Sequence, residues 1–215
     1  HFVDTVKDTF KETSRGIKNT VGAEYEPYNS ASELRKAAEM DEIKKKIDEI
    51  KTLADTKQAG KIQDLEKVYD AEVKRAQEEF SRTGNSENLA TALENARKAF
   101  NTGKRKLEYE AITKEGDKEF EVKRKELAAL FARSPEVVKE AAFIGGHVDK
   151  KGNAQDAYGT KLNDNQFVEN IQNGTIFSDV DNDKSTIFEI GSNLGSASSY
   201  IRTQAMEQEN KQKDK

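Results

Sequence analysis

The chain has 215 residues, with no cysteine, no tryptophan and only two prolines. Without thiols there are no disulfides, thiolate metal sites or cysteine nucleophiles, and the redox compartment is left open. Long apolar runs are missing as well. The stretch Leu127-Ala128-Ala129-Leu130-Phe131-Ala132 is about a third of the roughly 18 residues that a membrane-crossing helix needs. His147 is the single internal histidine, because His1 is the first residue. A start at His rather than Met reads as a processed or trimmed terminus, with no secretory leader pattern to interpret.

What the chain has in quantity is charge. Charged residues make up 35% and apolar residues 34%, with a mean hydropathy of -0.92. Ordinary globular domains are clearly more apolar than charged, so a narrow buried seam is expected rather than a thick three-layer core. The net charge is -4. Residues 30–133 carry 23 basic and 22 acidic side chains, whereas residues 145–200 carry 4 and 8. The middle is therefore heavily charged yet nearly neutral, as a solvated helix surface with i,i+4 pairs would be. No segment has the one-sign excess that nucleic-acid binding needs, and no nucleic acid is expected as a partner.

Four segments emerge along the chain. In residues 1–29, Phe2, Val3, Val6, Phe10, Ile17 and Val21 recur at helical spacing, followed by a linker containing Pro27. This amphipathic helix suits docking on protein better than a membrane surface, because acids lie beside its lysines. Residues 30–133 read as a long antiparallel helical hairpin, coiled-coil-like, with its tip near 81–86. One seam runs through Ile43, Ile47, Ile50 and Ala54, then Ile62, Leu65, Tyr69 and Ala76, with a stutter around Gly60. The other runs through Leu89, Leu93, Ala96, Phe100, Gly103, Leu107 and Glu110, and extends to Phe131. Gly60 and Gly103 fall at one level, marking a kink or a close approach.

Residues 134–206 begin with Ser134-Pro135-Glu136, a helix start built from a capping hydroxyl, a first-turn proline and an acid. A short bracing helix follows, stopped by Gly145-Gly146. Beyond it Gly, Asn, Asp and Ser become dense. Leu162, Phe167, Val168 and Ile171 suggest a short helix. Thr175-Ile176-Phe177 and Thr186-Ile187-Phe188 suggest a β-hairpin, and residues 194–206 a return to helix. Residues 207–215 read as a polar tail. The expected fold is thus mainly α, a long helical hairpin carrying a small irregular α+β C-terminal module.

Few constellations point to chemistry. Asp179, Asp181 and Asp183 alternate as in the first half of a calcium loop, making Ca2+ the candidate ion. The second half does not fit, because Lys184 stands where Gly belongs and Ile190 where the bidentate Glu belongs. His147, two residues before Asp149, lacks a nucleophile or second ligand. The basic triplets Lys44-Lys45-Lys46, Lys104-Arg105-Lys106 and Lys123-Arg124-Lys125 are each flanked by acids. No catalytic residues and no resident cofactor are expected.

These features favour a non-enzymatic assembly protein that binds copies of itself or other subunits; a virion, tail or secretion apparatus is a natural setting for that shape. The candidate contact residues are Phe2, Val6, Phe10 and Ile17 on the first helix. Ile43, Ile47, Ile50, Leu89, Leu93 and Phe100 join them on the hairpin seams. The alternative is a soluble or surface-exposed binding module, with the hairpin as stalk and the C-terminal module as ligand reader.

Overall fold

The computed structural model describes residues 30–137, 147–148, 154–155, 164–178 and 187–214. The N-terminal amphipathic pattern, Leu162 and the Asp179/Asp181/Asp183 cluster lie outside them, as does most of the bracing segment. The described helices are α1 (Ser30–Lys57), α2 (Ala59–Thr83), α3 (Ser86–Ile112), α4 (Lys118–Ala132), α5 (Asp164–Gln172) and α6 (Ile187–Lys213).

Helix α1 is the central element. Its buried residues Ala37, Met40, Ile43, Ile47, Ile50 and Ala54 are at most 1% exposed and step by three and four, the spacing that keeps one seam inward. Helix α6 lies antiparallel along it, with Gly191 against Ile47 and Gly195 against Lys44. Nearer the start of α1, the Ser198 hydroxyl donates to the Ala37 carbonyl. Helix α4 also runs antiparallel to α1, tied by Lys46–Glu126 at one level and Lys57–Asp117 at another. Helix α5 covers α4, where the Phe131 and Phe167 rings meet edge to face at 5.1 Å. Together these helices and the end of α3 enclose one core.

Helices α2 and α3 leave that bundle as a two-helix arm. At its tip Gly84 adopts φ +67° and its N–H caps the Phe80 carbonyl, a left-handed conformation that glycine reaches at least cost. Asn85 then caps α3 by accepting from the Asn88 N–H. The turn is these two residues, shorter than the six-residue break expected. Along the arm Tyr69 stacks obliquely on Phe100. Gly103 gives the close approach expected of it: a Cβ there would lie 3.1 Å from Leu65 Cδ1. Gly60 does not kink the chain; the break is at Gln58, and backbone bonds from Gln58 to Ala54 and from Ile62 to Gln58 run through it.

The expected fold class needs correction in two places. First, the hairpin is not two uninterrupted helices. Its second limb ends at Ile112 and restarts at Lys118, because Gly116 turns the chain at φ +81° and Asp117 caps α4 through the Phe120 N–H. Second, the C-terminal α+β module is replaced by helix. Thr175–Phe177 is a 3-10 turn, set by Gly174 at φ +82° and by Asn173 accepting from the Thr175 N–H. Ile187 and Phe188 open α6 instead of forming the second strand. The only extended pairing among the described residues is a two-residue antiparallel ladder, His147 opposite Gln155 and Val148 opposite Ala154. The expected polar tail is helical to Lys213. No described helix is long and apolar enough to cross a membrane.

Candidate functional site

The physical reason for the arm's weak core is that α2 meets little besides α3, so a helix face that α1 would bury remains open. Within it only Ile62, Ala76 and Ala96 are buried. Leu65, Tyr69, Val73, Leu89, Leu93 and Phe100 are half-buried. Val68 is 60% exposed and Phe80 38%. The seam is closed on the side where the two helices touch and open on the others. Exposed apolar side chains arranged along one element mark a surface suited to a partner more than scattered ones do.

At the root of the arm lies an ionic cluster. Glu108, on α3, is 3% exposed, and its Oε2 and Asp55 Oδ1 are buried without a hydrogen-bond partner. Lys51 Nζ stands 3.6 Å from Glu108 Oε2 and 3.5 Å from Asp55 Oδ2. Lys104 is 4.0 Å from Asp55, and Arg105 is 3.6 Å from Glu189 of α6. Burial pushes the Glu108 carboxyl up to about 7; Lys51 opposes the shift and neighbouring Asp55 adds to it. Burial also works against the Lys51 ammonium, but Glu108 and Asp55 outweigh it and hold its pKa above the ordinary value. Beside the cluster Gln58 donates to the Leu107 carbonyl at 3.0 Å, fastening the α1–α2 break to α3.

The burial of Glu108 is not visible in local spacing. The steps of three and four put Glu110 on the seam, whereas Glu110 is exposed and Glu108 buried. The cause is a change of surroundings. Along the arm α3 faces only α2, but near Glu108 it enters the bundle and meets α1 and α6 as well. Tyr109 there contacts both Phe177 and Phe188.

The other expected site residues separate into three groups. Ile43, Ile47 and Ile50 belong to the chain's own core, so they present no face to a partner in this fold. Leu89, Leu93 and Phe100 line the half-open arm. Phe2, Val6, Phe10, Ile17 and the three aspartates lie outside the described residues. Among the described residues no group of three acidic or histidine side chains is placed to hold a metal ion.

Six of the nine basic-triplet residues, Lys44, Lys46, Lys104, Arg105, Lys123 and Arg124, are engaged within the chain. Lys44 bonds Asp48, and Lys46 bonds both Glu49 and Glu126. The Glu126 bond, with the Glu49 one, raises the Lys46 pKa above its ordinary value. Lys123 faces Glu49 at 4.0 Å. Arg124 is buried; its guanidinium donates to the Ile112 and Gln172 carbonyls, at the ends of α3 and α5. A positive charge is favourable at the negative end of a helix dipole, and here one side chain serves two.

No family model, curated protein or solved structure matches the chain.

Proposed function

We propose that the chain is a non-enzymatic structural subunit that assembles with protein partners, copies of itself included, through the α2–α3 arm. The observation that supports this reading is the arm's half-open seam, with Val68 and Phe80 left on its surface. A two-helix ribbon buries little of its apolar surface by itself and gains stability when more helices complete it. The bundle then acts as a base that holds the arm outward.

Light scattering coupled to size exclusion, over a range of concentrations, tests the reading. The expected result is a defined oligomer that persists on dilution. The paired substitutions Val68→Glu and Phe80→Glu should dissociate it while leaving the helical circular dichroism unchanged. A monomer at every concentration rejects self-assembly through the arm.

A further inference from the structure

At the root of the arm two carboxyls meet, one from each side of the junction. Glu108 Oε2, on α3, and Asp55 Oδ1, on α1, are buried and have no hydrogen-bond partner. The Lys51 ammonium, also on α1, stands 3.6 Å from Glu108 and 3.5 Å from Asp55, beyond the roughly 2.7–3.2 Å of an N–H···O bond. Lys104 of α3 is 4.0 Å from Asp55. The α6 side is closed by Phe188, whose ring centroid lies 5.8 Å from Lys51 Nζ, and by Glu189, 3.6 Å from Arg105. Water is kept from Glu108, which is 3% exposed. A single proton, carried by one carboxyl and donated to the other, gives both acids a partner where no ammonium is close enough to do so.

We propose that this proton is a latch: shared by Glu108 of α3 and Asp55 of α1, it fixes the arm to the bundle, and its loss lets the arm tilt about the buried end of α3. The inference does not depend on what the arm binds. Without the proton two carboxylates stand side by side under an apolar cover, and Glu108 gains most by reaching water. Reaching it means parting α3 from α1 at this level. The other tie there is the Gln58 bond to the Leu107 carbonyl, one residue from Glu108, so both fastenings open together. Farther in, Tyr109 is held between Phe177 and Phe188, each at 5.7 Å, and Ile112 is fully buried. That end of α3 stays in the core as the pivot, and α2 moves with α3 because it packs on little else. From Ser86 to Glu108 the helix spans about 33 Å, so a tilt of about 10° displaces the tip by about 6 Å.

Because the chain has no cysteine, Glu87→Cys near the tip and Lys125→Cys on α4, both at exposed positions, place one spin label on the arm and one on the bundle. The doubly labelled full-length chain is diluted into excess unlabelled chain, so that only distances within one molecule are read. Pulsed dipolar spectroscopy should give one narrow distance at pH 5.5 and a distribution shifted or broadened by about 6 Å at pH 8.5, the displacement set by the lever length. The change should have its midpoint near pH 7, where Glu108 loses its proton. In Glu108→Gln the amide donates to Asp55 at every pH, and in Asp55→Asn it donates to Glu108, so each variant should keep the narrow distance at pH 8.5. A distribution that is the same at both pH values in the parent chain overturns the latch. So does a change that persists in either variant, or one accompanied by loss of helical circular dichroism, which would be unfolding of the bundle.

Discussion

Glu108 and Arg124 are two buried charge-bearing side chains with opposite consequences. In the folded chain Glu108 keeps its proton up to about pH 7, against an ordinary value of 4.5. Between those values the folded state binds more protons than the unfolded one, so stability falls as pH rises through that window. The ion-paired Asp117, whose carboxyl Lys57 holds below the ordinary carboxylate value, acts in the other sense and at more acid pH. Urea unfolding should therefore give a higher midpoint at pH 5 than at pH 8, and Glu108→Gln should flatten that difference. An unchanged slope in the variant would locate the proton uptake elsewhere. Arg124→Met should cost about 1–3 kcal/mol in unfolding free energy, because the buried Ile112 carbonyl loses its donor and the part-buried Gln172 carbonyl loses a weaker one. Neither role was legible in the sequence. Both residues sit inside or beside a basic triplet, where local spacing looks like solvated helix, and only the arrival of distant elements buries them.

At the scale of elements, the apolar steps from Ile43 to Ala54 and from Leu89 to Phe100 were readable, because three-and-four spacing is a local property of the chain. The Gly116-Asp117 restart was also present in the sequence as a turn residue followed by a cap, but the strong periodicity on either side masked it. Helix α6 was legible in part: residues 194–206 read as a return to helix, but its first two turns were hidden. Its seam, Ile187, Ile190, Leu194, Ala197 and Ile201, has helical spacing, yet Thr186-Ile187-Phe188 reads as a strand and Gly191 and Ser192 belong to the Gly/Ser-dense stretch after it. The glycines have a packing reason that only the neighbour reveals: they let α6 approach α1. At Gly195 a Cβ would meet the distal carbons of Lys44 at 2.6 Å, whereas at Gly191 it would meet Ile47 Cγ2 at 3.1 Å. Lys44 is flexible and Ile47 is locked in the core. Thermal unfolding should find Gly195→Ala tolerated, helped by alanine's better helix propensity. Gly191→Leu should destabilise by about 1–3 kcal/mol through overpacking.

At the scale of the whole molecule, arm and bundle are nearly separable, joined at Gln58, Leu107 and the Glu108 cluster. Replacing residues 63–102 with a short glycine linker should leave a folded helical bundle by circular dichroism and should abolish the oligomer that light scattering is expected to find for the intact chain. The pairing of α1 with α6 has a further consequence, for the order in which the fold is acquired. The arm is a local hairpin closed by a two-residue turn, the kind of structure that forms within microseconds. The bond from Ser198 to Ala37 spans 161 residues, so closing that contact carries a large loop entropy and is slow. As the chain is synthesised from its N-terminal side, the arm is complete while Ile43 and Ile47 still await the helix that covers them. Nascent chains halted before residue 187 should expose that unfinished face and recruit holdase chaperones, and release of the full length should end the need for them.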